Sequence, residues 1–450
     1  MTDDASAMFH PTEDDAREAR VIADWALARL AGRRDVLPRT EFDAPLPELG
    51  RTGIGTKAAV ALFRDRLAPT AIPPDHPRYF SFVPGIPTVA AALADMELSV
   101  AMIYAGSYLE GAAAVEAEDA VIRWLADAAG YPGAAGGTFV SGGSIANLSA
   151  LVAARGGGPE AHRRHIVVAG ASAHSSMAAA AHIMGCELVT APAADAHGRL
   201  DARTLEQALA PLDSREVVAV VATAGATNTG SFDDLSAVAG VCAAHDLRLH
   251  VDGAYGGAAL LSPRTRPLME GIERADSFIV DPHKMLFSTF DCAALVYRDR
   301  RSACAALTQT ADYLDVVCGT GDEPPNPSDL AIHLTRRARG VPVWASVLAY
   351  GTDAYAAAVD RCTDIAAYAA ERIAASPVLE AAIEPAFTVI LVRRRGWSAD
   401  DYAAWSESAL ARGVGVVLPT RLAGETLLRF CFVNPLTTRD DVNLVLADLA

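Results

Sequence analysis

Apolar residues recur along this chain with two different periods. Over residues 13–33 they fall at Ala16, Ala19, Val21, Ile22, Trp25, Ala26 and Leu30, the spacing of an amphipathic helix that Gly32 ends. Residues 38–90 are Pro-rich and extended, with one helix near Lys57–Leu67, and residues 91–130 read as helical. From Gly136 to Tyr297 the pattern alternates. Short β-rich runs at Ile166–Ala169, Val217–Ala222, Leu247–Val251, Phe278–Val280 and Ala293–Tyr297 are separated by Ala-rich helical stretches. That alternation predicts an α/β fold, a mostly parallel sheet with helices on both faces. The pattern breaks over 310–330, where Gly319, Gly321, Pro324, Pro325 and Pro327 stand among acidic residues and predict a mobile loop. One long helix is expected from near Leu334 to about Ala375, kinked at Pro342, followed by a βα-β-β-α unit over 376–450. The chain thus divides into an N-terminal helical and extended arm (1–90), a large domain (91–340) and a small C-terminal domain (341–450).

In open α/β sheets ligands bind beyond the carboxyl ends of the strands, so the residues following each run test for a site. Ile166–Ala169 is followed by Ser172-Ala173-His174-Ser175-Ser176, and Val217–Ala222 by Thr223 and the stretch to Gly230. Leu247–Val251 leads to Asp252, Ala254 and Tyr255, and Phe278–Val280 to Asp281-Pro282-His283-Lys284. Lys284 is one of two lysines set against 36 arginines. A compositional bias towards arginine explains part of that shortage. A lysine kept under it still suits work arginine cannot do, because an ammonium can lose its proton and attack a carbonyl. A strand-end lysine beside a strand-end aspartate is the pattern used with pyridoxal phosphate (PLP). Lys284 would form a Schiff base with the cofactor aldehyde. Asp252 would pair with the pyridine nitrogen and keep the ring an electron sink. His174 would stack on one ring face, with the small Ala254 on the other. Val140-Ser141-Gly142-Gly143-Ser144 opens the helix Ile145–Arg155 and offers backbone N–H groups to the phosphate, and Thr223 is a further candidate cofactor contact.

The formal net charge of −17, without a basic patch, argues against nucleic acid and anionic membranes as partners. An acidic start, Met1-Thr2-Asp3-Asp4, carries no signal-peptide pattern, and no segment has the length and apolarity of a membrane span. Seven scattered cysteines without CxxC spacing fit reduced thiols in a cytoplasmic protein and predict no metal site. No Gly-x-Gly-x-x-Gly opens the first βα unit, which counts against a dinucleotide-binding fold. His76, His162, His165, His182, His197 and His245 are given no chemistry, and Cys318 in the loop reads as a solvent-exposed thiol.

These residues resemble the group II PLP-dependent decarboxylases, which include the aromatic-amino-acid, glutamate, histidine and diaminobutyrate enzymes. The resemblance covers about residues 74–450. It runs through His76-Pro77-Arg78-Tyr79-Phe80, Glu116-Ala117-Glu118, Ser141-Gly142-Gly143-Ser144, Ala173-His174-Ser175-Ser176, His250-Val251-Asp252-Gly253-Ala254-Tyr255 and Asp281-Pro282-His283-Lys284. It continues in Phe290-Asp291-Cys292, Arg336-Arg337, and Arg429 with Asn434-Pro435. It implies PLP fold type I, a homodimer with the active site at the interface and the arm wrapping the partner, and a carboxy-lyase acting on an amino acid. Carried over position by position, Lys284 is the Schiff-base lysine, Asp252 the pyridinium partner and His174 the stacking base. Gly143, Ser144 and His283 are phosphate contacts. Tyr79 and Phe80 are walls of the substrate pocket, and Arg429 meets a substrate carboxylate or forms a structural ion pair.

The sequence departs from that pattern in its loop. Family decarboxylases carry a tyrosine nine residues before the first arginine of the Arg-Arg pair, and that position is Pro327 here; Tyr313 lies far upstream. Ala226 also stands where the family usually has threonine. The departure leaves two further outcomes open, decarboxylation-coupled oxidative deamination and β-elimination on a modified amino acid in specialised metabolism, such as antibiotic biosynthesis. A non-catalytic PLP-binding protein is the alternative of another class.

Overall fold

The computed structural model describes residues 8–34, 45–157, 159–309 and 325–450. The start and most of the loop expected over 310–330, with Tyr313 and Cys318, therefore lie outside the described residues. The large domain is built on a seven-stranded sheet in the order β1-β7-β6-β5-β4-β2-β3. Its strands are β1 (Gly136–Val140), β2 (Ile166–Gly170), β3 (Glu187–Ala191), β4 (Val217–Thr223), β5 (Leu249–Asp252), β6 (Ser277–Val280) and β7 (Ala293–Tyr297). Only β7 runs against its neighbours β1 and β6; the other pairs are parallel. Strand β4 is buried along its whole length, the reason it reads as a continuous apolar run. Its side chains alternate between two layers: Val220 and Ala222 join one core, Ala219 and Val221 the other.

Helices cover both faces. The N-terminal helices are α1 (Glu13–Ala31), α2 (Thr56–Leu62), a short turn α3 (Ala68–Thr70), α4 (Val89–Ala101) and α5 (Tyr108–Ala129). Within the sheet region come α6 (Gly143–Arg155), α7 (Ser176–Met184), α8 (Ala202–Leu209), α9 (Leu235–Ala244) and α10 (Arg300–Leu307). The chain then forms α11 (Val341–Tyr350) and α12 (Thr352–Ala374). The single long helix expected from Leu334 is thus two helices. Pro342 sits in the first turn of α11, where its missing N–H costs nothing, and the break falls at Gly351, whose φ is 78°. Among the described residues no helix is long and apolar enough to cross a membrane.

The small domain carries an antiparallel sheet in the order β10-β11-β9-β8, made by β8 (Leu379–Ala381), β9 (Val389–Arg394), β10 (Leu418–Leu422) and β11 (Glu425–Cys431). Helices α13 (Ala399–Ala411) and α14 (Arg439–Leu449) complete it. Helix α12 belongs to both domains. Tyr355, Val359 and Cys362 pack in the large core, while Ile365, Ala366, Ala369 and Ile373 pack in the small one. The N-terminal region is stitched in as well. The Phe80 N–H donates to the Val416 carbonyl (2.9 Å) and its carbonyl accepts from Cys431 (2.9 Å). Arg34 donates to both carboxylate oxygens of Asp441 on α14, at 2.9 and 2.8 Å.

Candidate active site

The carboxyl ends of β2, β4, β5 and β6 open on one cavity of about 390 Å³. Its lining brings together Gly143, Ser144, His174, Thr223, Asp252, Ala254, His283 and Lys284. A larger cavity of about 790 Å³, between residues 194–201 and the small-domain loop 384–387, contains none of these residues. Chemistry rather than size therefore singles out the first.

The carboxylate of Asp252 is buried at the end of β5 and held at both oxygens. Ala254 N–H donates to Oδ1 (3.1 Å) and the Asn147 side-chain amide to Oδ2 (3.0 Å). Asn147 lies on α6, one turn beyond the glycines, and is itself 1% exposed. Its Oδ1 is 2.9 Å from His250 Nε2, and His250 Nδ1 is 2.8 Å from Ser277 Oγ. Burial pushes the His250 imidazole down to about 4, so the ring is neutral at neutral pH. The same Asn147 amide donates to Ser176 Oγ (3.1 Å), which lies 3.0 Å from His174 Nδ1. Residue numbers alone gave no sign of this Asn147–His250–Ser277 chain. The available signal was a polar Asn on an otherwise apolar helix face, and a His two positions before Asp252 on the same strand face.

Lys284 Nζ is 3.0 Å from Asp281 Oδ2, and His283 Nε2 is 3.6 Å from the same oxygen. Burial pulls the His283 pKa below the usual imidazole range. Its Nδ1 is engaged by the backbone of Cys292. The loop bearing Lys284 is clamped from outside by residue 85. The Gly85 N–H donates to the His283 carbonyl (2.9 Å), and a Cβ at residue 85 would lie 1.5 Å from the Lys284 carbonyl oxygen. A side chain there is sterically impossible without moving the lysine.

Three features fit this cavity to PLP. Two buried polar atoms in its wall, Thr223 Oγ1 and Asp281 Oδ1, have no hydrogen-bond partner among the described residues. Helix α6 begins at the cavity with no side-chain cap, so its first-turn N–H groups are presented to an anion. A Cβ on Gly143 would meet the Asp281 carboxylate oxygens at 3.0 and 3.2 Å and Ala254 Cβ at 3.3 Å, closing that cradle. The volume lies in the range of about 300–1,000 Å³ typical of small-molecule sites.

The substrate residues inferred from resemblance lie elsewhere. Tyr79, Phe80 and Arg429 do not line the cavity. Phe80 is 1% exposed and packs against Phe430 and Phe432, at centroid distances of 5.9 and 5.1 Å. Within one chain this ring is small-domain core. Tyr79 is half-buried; burial raises its pKa, and the Arg429 charge acts on it in the opposite direction. Arg429 Nε donates to Cys431 Sγ (3.1 Å), and among the described residues its buried Nη2 has no hydrogen-bond partner and the guanidinium no ion pair. Phe290 and Asp291, to which no role was given, line the cavity mouth.

A nucleophilic amine, a carboxylate for a ring nitrogen, an imidazole and an anion site at a helix start, all on the carboxyl edge of this sheet, define a PLP enzyme of fold type I. Comparison with known proteins makes the class specific. The model of the pyridoxal-dependent decarboxylase conserved domain matches residues 62–394. L-2,4-diaminobutyrate decarboxylase of Rhizobium meliloti is 34% identical over 412 residues, covering 89% of this chain and 82% of the relative. Aromatic-L-amino-acid decarboxylase of Bacillus atrophaeus is 29% identical over 384 residues, covering 82% and 79%. The structure of Oryza sativa TDC with PLP and tryptamine shares the fold, with a TM-score of 0.87 at 24% identity over 97% of this chain and 98% of that one. Rhodiola rosea 4-hydroxyphenylacetaldehyde synthase shares it too, with a TM-score of 0.85 at 20% identity over 98% and 97%. The chain belongs to the pyridoxal-dependent decarboxylase family. It is a PLP-dependent carboxy-lyase acting on amino acids.

Proposed function

We propose that the protein removes the α-carboxylate of an L-amino acid with a neutral or cationic side chain, using Lys284, Asp252 and His174. The observation that carries the substrate class is the charge of the cavity wall. Asp252, Asp281 and Asp291 line it against one lysine among the described residues, and a bound phosphate adds further negative charge. An acidic substrate side chain would meet repulsion there, whereas a second amino group, as in 2,4-diaminobutyrate, would be attracted.

PLP, when bound, supplies an aldehyde that condenses with amines and a protonated ring that draws electrons from Cα. The chain's own residues do the rest. The start of α6, with Gly143 and Ser144, and His283 would hold the phosphate. Thr223 Oγ1 is an unused donor in the wall. Asp252, accepting from two fixed N–H groups, would present its carboxylate to a proton on the ring nitrogen. Lys284, 3.0 Å from Asp281, has a carboxylate ready to hold its proton whenever its amine is free. His174 and Ala254 line the cavity and would confine the ring from its two faces.

A homodimer closing the site belongs to the same reading. Val100 and Met102 are each 86% exposed and Leu109 is 70% exposed; Phe82 and the cavity-lining Phe290 are exposed as well. Exposed apolar surface of this kind, reaching the cavity at Phe290, is what a second copy would cover.

A second outcome, an aldehyde in place of the amine, is favoured by one observation. Pro327, at the position where resembling enzymes carry their loop tyrosine, is buried in a one-turn helix (Pro327–Asp329) and supplies no acid. Ser328 N–H is fixed to the Gly106 carbonyl (3.1 Å) and Tyr108 N–H to Asn326 Oδ1 (3.0 Å). The test is direct. PLP-loaded protein is given a panel of L-amino acids, with CO₂, amine, aldehyde, ammonia, hydrogen peroxide and oxygen uptake all measured. Amine equal to CO₂ without oxygen uptake supports simple decarboxylation. Aldehyde with ammonia and peroxide supports the second outcome. Absence of CO₂ from every substrate would defeat both.

A further inference from the structure

We propose that Asn147 is a positioning residue that sets the hydrogen-bond polarity of Asp252 and His174 together. The inference rests on the PLP-decarboxylase reading for what those two side chains face; the polarity itself follows from the hydrogen bonds. An ionised carboxylate only accepts, so the Asn147 group facing Asp252 Oδ2 at 3.0 Å is the NH₂. Its Oδ1 therefore faces His250 Nε2 at 2.9 Å and accepts from it. With the imidazole neutral, the hydrogen on Nε2 leaves Nδ1 bare, to accept from the Ser277 hydroxyl at 2.8 Å. Every donor in the series Ser277, His250, Asn147 points towards Asp252. The wire delivers positive hydrogen-bond potential to the carboxylate without bringing a charge near it.

The second Asn147 N–H opens another branch. It donates to Ser176 Oγ at 3.1 Å, so that hydroxyl is left to direct its own hydrogen at His174 Nδ1, 3.0 Å away. The Ser176 backbone N–H, which can only donate, points at the same nitrogen from 3.2 Å. Two donors on Nδ1 place the His174 hydrogen on Nε2. The imidazole then offers the cavity a donor rather than a basic lone pair. Asn147 thereby couples the acceptor for the ring nitrogen to the tautomer of the residue over the ring face. Both branches are buried: Asn147 is 1% exposed, His250 1% and Ser176 5%. Solvent cannot replace a lost partner, and a buried hydrogen bond to a charged group is worth about 1.5–3 kcal/mol.

The test uses Asn147→Leu, which keeps the branching and number of heavy atoms without the amide, in PLP-loaded protein. Nitrogen-15 resonances are read from labelled PLP and labelled histidine, alongside PLP affinity and the thermal midpoint. The wild type should show a protonated ring nitrogen and a single Nε2–H tautomer for His174. N147L should bind PLP about 10- to 100-fold more weakly. Its ring-nitrogen resonance should move towards the unprotonated position, and the His174 signals should lose their single-tautomer pattern. A folded N147L with both resonances unchanged would overturn the proposal. If N147L retains too little PLP, Ser277→Ala decides, because Ser277 ends the wire. A smaller move of the ring nitrogen in the same direction supports the proposal, and no move refutes it. A wild type that binds no PLP, or shows an unprotonated ring nitrogen, would instead defeat the role given to Asp252.

Discussion

The two walls of the cavity are built on opposite principles. On the α6 side the central functional groups are fixed by buried neighbours. Asp252 has two donors, Asn147 touches three side chains, and the Lys284 loop is pinned by Gly85. On the mouth side, Phe290 is 59% exposed and the Asp291 side chain 54%, with an ion pair to Arg339 (3.0 Å) as its visible restraint. The wall assigned to a constant cofactor is firmly held within one chain. The wall assigned to a variable substrate is open, and the proposed second copy would close it. Pre-organisation is spent where the ligand never changes.

The sharpest way to break that contrast is at the amine. Lys284→Ala should lower the rate of CO₂ release at least about 10³-fold, with the protein folded, as a radiometric or mass-spectrometric assay would show. Phe80→Ala tests which wall that ring serves. As small-domain core it should cost about 3–5 kcal/mol in urea unfolding and leave KM nearly unchanged; a raised KM at unchanged stability would return it to the substrate pocket. Gly85→Ala should cost about 10²-fold in kcat by displacing the lysine backbone, since misplacements of about 1 Å have that effect. On the open side, Met102→Asp together with Val100→Asp should shift the protein towards monomer in light scattering, with activity falling in step. Dimers of undiminished stability would show that the apolar face serves something else.

The smallest effect is one of pH. His250 titrates near 6.5 when unfolded and near 4 in the fold. Between those values the unfolded chain binds a proton that the native state refuses. This contribution to stability is therefore present above pH 6.5 and is lost as pH falls towards 4. Thermal midpoints measured across that interval should fall less steeply in His250→Gln than in the wild type.

Much of this was legible because the sheet is covered on both faces. The runs giving β2, β4, β6 and β7 are almost wholly apolar, that giving β5 is broken by Arg248 and His250, and ligand groups gather where such runs end. Strand β1 went unseen because it opens with Gly136-Gly137, poor strand formers, and β3 because its exposed Glu187 and Thr190 leave no apolar run. Strand β8, only three residues long, escaped for the same lack of signal. Lys284 and Asp252 could be found as strand-end ionisable groups. Asn147 had only a weak signal in its apolar neighbours on α6, since a lone polar residue on a helix usually faces water and tertiary packing turns it inward. Phe80 and Arg429 were assigned from resemblance, which carries a role but not the side-chain direction on which the role depends.

Phe80 also has a consequence for how the molecule comes apart. A ring from near the start of the sequence fills the hydrophobic centre of a unit otherwise made from the end, and α12 carries side chains of both centres. Severing the chain near residue 340 would leave the C-terminal piece with a void the size of a phenyl ring and an unpaired Cys431 N–H. The two lobes are thus one cooperative unit. Urea should melt them in a single transition, and neither half should be expressible as a stable fragment.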